Sequence, residues 1–362
     1  MRNGFTTGSC AAAASKAATT MLLGGNRVKT IKIDTPAGIV FEAKIEETSI
    51  REDEVRCAVR KDAGDDPDIT DGTLIFATIR LIRDGRKEVR IEGGEGVGIV
   101  TRPGLDQPVG NPAINSVPRA MITEAVCEVM ALFDCGDSVR VVISVPGGAE
   151  LAEKTMNPRI GIKGGISIIG TSGIVEPMST SALLDTIHVE LRQLREEGAA
   201  VAVVSPGNYG MDFMRRSYGY DLDKAVKCSN FIGATIDLVK ELGFTKMLLV
   251  GHVGKLIKVS GGIMNTHSRE ADCRMELLTA AALKAGASAD TINRILDCVS
   301  TEEACQLLVI EDKEETCFSY IMEKISYYLN KRAGDGLDVQ CIVYSNSRGL
   351  LGCTPLAEEY LK

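Results

Sequence analysis

The chain has 362 residues, a net charge of −8, 44% hydrophobic residues, only 4% aromatic residues and no tryptophan. That balance supports buried cores, argues against a nucleic-acid partner, and includes no apolar run near the roughly 20 residues that span a bilayer. Eleven cysteines, scattered and without a C-x-x-C pair, fit the reduced thiols of a cytoplasmic protein better than disulfides or a zinc site, so no protein metal centre is expected.

The Ala-rich start, residues 10–23 with Gly24-Gly25 behind it, reads as a capped helix rather than a signal peptide, because Lys16 interrupts the apolar run. Thr6, Thr7, Ser9 and Cys10 sit at its beginning, where capping explains the hydroxyls and small-residue packing the thiol. Strands are expected at 28–34, 39–45, 54–60 and 74–82, with turns at Pro36-Ala37-Gly38 and Asp84-Gly85. The third and fourth of these flank an acidic loop with Asp62, Asp65, Asp66 and Asp68. Such runs are usually solvated faces; Asp65 is the candidate base within this one. A helix over 118–133, with Ser116 available as cap, presents Ile122, Val126, Val129 and Phe133 on one side, and a strand over 139–145 follows. Short strands with two helices predict an N-terminal α+β domain over residues 1–163.

The densest signal is residues 157–179, NPRIGIKGGISIIGTSGIVEPMS: a short buried strand at 166–169 between glycine-rich loops, followed by a helix with Leu183, Leu184, Ile187, Leu191 and Leu194 at helical spacing. The next buried strand is 199–204. Strand, glycine loop, helix and strand is the unit of nucleotide-type sheets, so residues 164–362 are expected to form a three-layer α/β domain with a mostly parallel sheet, a helical section at 289–331 and a last strand at 339–344. Three apolar strands would then end in loops at 170–173, 205–210 and 251–268, crowded at one sheet edge. Gly164, Gly165, Gly170, Thr171, Ser172 and Gly173 are the cofactor-loop candidates, weighed against plain sheet turns. His252 and His267 fall in the last loop; His252 is the better acid–base candidate, whereas His188 lies along a helix's apolar side. Gly94, Gly96 and Gly98 line a ligand or make a bulged hairpin. No loop has Walker A or dinucleotide spacing.

Six blocks, in order, are GFTTGSCAAAASKAA from Gly4, KDAGDDPDIT from Lys61, GGEGVGIVTRPGL from Gly93, VGNPAINSVPRAMI from Val109, the segment from Asn157, and GHVGKLIKVSGGIMNTHS from Gly251. On these the chain resembles the CbiD family of cobalt-precorrin-5B C(1)-methyltransferases of anaerobic cobalamin biosynthesis, over nearly its whole length. One departure is Asp71, where the family often carries His. The resemblance implies methyl transfer from S-adenosylmethionine to ring carbon 1 of a cobalt corrinoid, giving cobalt-precorrin-6A, with cobalt present only as part of the substrate. It implies a small-molecule partner and is compatible with a homo-oligomer. Such substrates carry acetate and propionate arms, so an acidic chain must meet them with local cations. Arg102, Arg119 and Lys255, with His267, are the substrate-binding candidates. A non-catalytic corrinoid carrier and a small-molecule phosphotransferase are the alternatives. Binding of S-adenosylmethionine and of ATP separates the three.

Overall fold

The computed structural model of the chain describes residues 1–177, 179–207 and 211–362. Residue 178, near the end of the 157–179 stretch, and residues 208–210, in the loop after the second buried strand, lie outside the described residues. The protein is a mixed α/β structure whose contacts divide into two compact units, Met1–Thr180 and Ser181–Lys362. No described helix is long and apolar enough to cross a membrane.

The first unit is built around its N-terminal helix. After the two-residue strand β1 (Gly4–Phe5), α1 (Thr7–Gly24) is capped by Thr6 and closed by Gly25 in the left-handed conformation. Cys10 to Ala14, Ala17 and Ala18 are all 0% exposed, so the helix is buried nearly all round. Small side chains let it approach both neighbours closely: the sheet strands β4 (Glu54–Arg60) and β5 (Leu74–Ile82) on one side and α2 (Ser116–Leu132) on the other.

That sheet has six strands in the order β2-β3-β4-β5-β8-β6. β2 is Thr30–Asp34, β3 Val40–Ile50, β6 Val89–Gly93 and β8 Ser138–Ser144. Neighbours are antiparallel except β6 and β8, which run parallel and are joined through α2. Val55, Cys57 and Val59, Ile75, Ala77 and Ile79, and Val139, Val141 and Ile143 face the helices with strict alternation. The opposite face carries ion pairs, Arg80 with Glu54 and Arg140 with Glu92, beside the buried Ala58 and Phe76. The expected strands and helix lie within a few residues of those observed; β6 went unforeseen.

The remaining pieces are β7 (Ile99–Val100), α3 (Gly148–Ala152), β9 (Ile162–Lys163) and β10 (Ile174–Val175). They overturn the expected boundary after residue 163. Residues 166–169 do not join the second sheet; Ile166 bridges Val97 and Ile168 bridges Ile114, both isoleucines are buried in the first unit's core, and β10 pairs with β1. Burial in that core removes both isoleucine side chains from water.

The second unit contains α4 (Thr180–Glu196), β11 (Ala202–Ser205), α5 (Met211–Tyr218), β12 (Val226–Lys227), α6 (Ile232–Glu241), β13 (Lys246–His252) and α7 (Val253–Leu256). It continues with α8 (Arg274–Lys284), α9 (Ala289–Leu296), α10 (Thr301–Ile310), α11 (Glu314–Ala333), β14 (Asp338–Ser345) and β15 (Gly349–Cys353). The strand order is β12-β11-β13-β14-β15, parallel except for the last pair. Ala202, Val204, Met247, Leu249, Val339, Cys341 and Val343 face the larger core, with α4, α6, α8, α10 and α11. Val203, Leu248, Val250, Ile342 and Tyr344 face a thinner layer that includes Met214 of α5 and Tyr360 near the C-terminus. Both faces are covered, which is why these strands read as continuous apolar runs.

Candidate functional site

In the first unit the glycines and hydroxyls of the quoted blocks converge, but on each other. The α1 start is satisfied by the 167–173 segment: Thr6 N–H donates to Gly173 O at 3.2 Å, Gly8 N–H to Ile169 O at 3.0 Å, and the Ser9 hydroxyl to Gly173 O at 2.7 Å. In return Ile169 N–H donates to Thr7 Oγ1 at 2.9 Å. A Cβ on Gly170 would lie 2.2 Å from Thr6 Oγ1, and one on Gly173 2.8 Å from Thr35 Cβ. A Cβ on Gly165 would lie 2.3 Å from the Gly96 carbonyl oxygen. At Gly165, Gly170 and Gly173 the missing Cβ permits close packing within the unit. Thr171 is exposed, and Ser172 Oγ caps its own turn through Ile174 N–H at 3.2 Å. Gly164, exposed and with φ +79°, is the one of the group with open space at its Cβ position. Cys10 is buried at the same helix start and burial pushes its thiol up to about 12, the opposite of an activated nucleophile.

The acidic loop is likewise structural in its contacts. Asp65 Oδ2 accepts the Arg2 backbone N–H at 2.6 Å, and Asp62 takes the Arg2 guanidinium in two hydrogen bonds, which hold its carboxyl down to about 2. Asp68 meets the buried Lys61 ammonium at 2.5 Å. Asp65 therefore fastens the chain start through one of its two carboxylate oxygens.

Of the expected substrate cations in this unit, Arg119 donates to the carbonyls of Ile114 at 2.8 Å and Ile91 at 3.3 Å, and burial lowers its pKa. It ties the α2 start to β6, work that the sequence did not reveal. The cap of α2 also differs from expectation: the Asp106 carboxylate accepts Ser116 N–H at 2.7 Å. Arg102 lies over Gly161 and donates to Arg159 O at 2.9 Å, with the exposed Arg159 and Lys163 beside the same turn.

The second unit holds a cavity of about 370 Å³ at the carboxyl ends of its parallel strands. Its position follows from topology. The chain leaves β11 for β12 on one side and returns to β13 on the other, so the loops after β11 and β13 diverge and open a crevice, where α/β sheets bind ligands. Ser205–Gly207 and, from the loop after β13, Gly251, His252, Gly254 and Lys255 line it, and the third contribution comes from Tyr344 and Asn346 at the end of β14 and from the start of α10.

His252 is well placed but engaged at both nitrogens. Nδ1 accepts Gly254 N–H at 3.0 Å, which leaves the ring proton on Nε2, 2.9 Å from Glu302 Oε1. Glu302 also accepts Asn346 N–H at 2.9 Å and the Ser347 hydroxyl. Burial would raise the Glu302 carboxyl, but Ser347, Asn346 and His252 together outweigh it and hold it below the usual range. Lys255 projects into the same cavity, half-buried, with Nζ 3.2 Å from Pro206 O and 3.4 Å from Ser229 O. Among the described residues it pairs with no carboxylate, whereas the neighbouring Arg274 is already bound to Asp272. Desolvation lowers the Lys255 pKa. His267 lies on an exposed turn, its Nδ1 accepting Arg269 N–H at 3.1 Å, and does not line the cavity.

Glu302, Tyr344 and Asn346 escaped the sequence reading. Ser300 caps α10 by accepting Glu303 N–H at 3.2 Å, so the capping-box spacing did mark an acidic helix start there. That this start meets β13 and β14 depends on parallel strand order, which has no local signature.

Comparison with known proteins bears on the whole length. The model of the CbiD family matches residues 1–177, and that of the CbiD C-terminal domain matches residues 265–355. A cobalt-precorrin-5B C(1)-methyltransferase from Ruminiclostridium cellulolyticum is 46% identical, covering 96% of this chain and 89% of that protein. One from Alkaliphilus metalliredigens is 45% identical over 97% of this chain and 92% of that protein. A crystal structure of a cobalamin biosynthesis protein (cbiD) from Archaeoglobus fulgidus aligns at 28% identity over 76% of this chain and 84% of that one, with a TM-score of 0.41.

Proposed function

The chain belongs to the CbiD family, and from that membership we infer that it is a cobalt-precorrin-5B C(1)-methyltransferase acting in cobalamin biosynthesis, with S-adenosylmethionine as methyl donor. The observation that carries the inference is end-to-end similarity to proteins of that name, spanning both units. In the reaction the sulfonium gives up its methyl group, sulfur keeps the bonding electron pair, ring carbon 1 forms the new C–C bond, and one proton leaves the product. The electrophile is activated by its own charge, so the protein's share is mainly alignment and exclusion of water, with near-attack positioning contributing up to about 7–11 kcal/mol. The contacts of His252 and Asp65 agree with that division of labour. His252 orients Glu302 with both ring nitrogens engaged, and Asp65 holds the N-terminal segment through Oδ2.

Anaerobic incubation with cobalt-precorrin-5B and methyl-labelled S-adenosylmethionine is expected to put the label on ring carbon 1. Corrinoid binding without label transfer would favour a carrier, and ATP-dependent modification a phosphotransferase.

We assign the corrinoid's carboxylate arms in part to the cationic turn of Arg102, Arg159 and Lys163. Arg102→Ala is expected to weaken corrinoid binding by about 1.5–3 kcal/mol, the range for charge-assisted hydrogen bonds, while donor affinity holds. Absorbance titration of the corrinoid against both proteins reads this directly; equal affinities would remove Arg102 from the substrate site.

A further inference from the structure

We propose that the cavity at the carboxyl edge of the second sheet is the methyl-donor site, with Lys255 receiving the donor's α-carboxylate and Glu302 facing its cationic centres. The inference rests on the methyltransferase reading above and replaces the glycine segment 164–173 as the donor site.

Three observations converge on it. The cavity lies at the strand-order reversal between β11 and β13, and its volume of about 370 Å³ suits a ligand of nucleoside size. Second, Lys255 is a half-buried ammonium that, among the described residues, bonds only to the neutral carbonyls of Pro206 and Ser229 and meets no carboxylate in a partly desolvated place. A ligand carboxylate supplies one. Third, Glu302 lies in the same cavity, 30% exposed, and is kept ionised by three hydrogen-bond donors. Arg274 also lines the cavity but is already paired with Asp272, so the lining offers one cation and one carboxylate to a ligand, which disfavours a polyanion and matches a zwitterion. The donor's amino-acid end carries a carboxylate and an ammonium, and its sulfonium adds a second positive centre. His252 is a positioning residue here, because Gly254 N–H on Nδ1 fixes which nitrogen donates to Glu302.

The test uses the full chain and three ligands in calorimetric titrations: S-adenosylmethionine, S-adenosylhomocysteine and 5′-methylthioadenosine, which lacks the amino-acid end. Lys255→Met, and Lys255→Gln as a variant that keeps a hydrogen-bond donor, are expected to bind the first two at least tenfold more weakly and methylthioadenosine unchanged. Unchanged affinity for all three overturns the proposal. So does an equal loss for all three, which would mean that Lys255 only supports the loop. Loss of corrinoid affinity with intact donor binding overturns it as well, by giving the carboxylate to the other substrate. If the wild-type chain binds no S-adenosylmethionine, the donor assignment made under the proposed function fails instead.

Discussion

Gly96→Ala is expected to lower stability by about 4 kcal/mol or more, the size reserved for backbone strain combined with overpacking. Gly96 has φ +70°, and a Cβ there would lie 1.8 Å from the Val145 carbonyl oxygen and 3.0 Å from Gly148 N. Neither neighbour can yield by rotating a side chain. Ile166 N–H donates to Gly96 O at 3.0 Å and Val145 N–H to Glu95 O at 2.7 Å, so moving the turn breaks its links to both neighbours. Gly164→Ala is the control, with φ +79° but nothing within 4 Å of its Cβ position. It should lose only the left-handed penalty, about 1–2 kcal/mol. Urea denaturation followed by circular dichroism separates the two through their midpoints. Similar midpoints for both variants would mean that the loops around Gly96 are loose enough to relax, and the ligand reading of these glycines would regain its force.

What was legible in the sequence follows from range. The alternation of Val55, Cys57 and Val59 and the uninterrupted apolar run of Met247–Val250 report local burial, so the strands containing them were found nearly to the residue. The glycines were visible too, but a glycine signals only that something comes close. At Gly170 and Gly165 the neighbour is Thr6 and the Gly96 backbone, about 160 and 70 residues away by number, and no local pattern distinguishes them from a ligand. The same limit moved the boundary: Ile166 and Ile168 read as a buried strand, which was right about burial and silent about which core they enter. At the candidate site, Gly251, His252 and Lys255 were legible because they follow an obvious strand. Glu302 and Asn346 come from a helix start and a strand end that only the tertiary fold brings beside them.

Asp68→Asn should destabilise the first unit by about 3–5 kcal/mol, more than Lys61→Met at the other end of the same ion pair. The asymmetry comes from burial. The Lys61 side chain is 2% exposed and that of Asp68 26% exposed. Removing the carboxylate charge leaves an ammonium in the core without compensation, and the amide that replaces it turns a donor or a weaker acceptor toward Nζ. Removing the ammonium instead leaves Asp68 with Thr70 N–H at 2.8 Å and the Thr70 hydroxyl at 2.7 Å, within reach of water. The double variant should therefore lie close to Lys61→Met, because the stranded charge is gone, and a double-mutant cycle in urea reads that non-additivity. The pH dependence fixes the mechanism. Burial would raise the Asp68 carboxyl, but Lys61 and Thr70 overcome it and leave the pKa below its ordinary value of 3.8. A carboxylate lowered on folding contributes stability that is complete above the unfolded value and disappears as pH falls through the folded one. The gap between wild type and Asp68→Asn should accordingly be constant near neutrality and shrink below about pH 4, where the unfolded carboxylate begins to take up its proton. A gap that stays constant to pH 2 would show that Asp68 acts through its shape and its hydrogen bonds to Thr70, with the buried Lys61 charge stabilised by something other than this carboxylate.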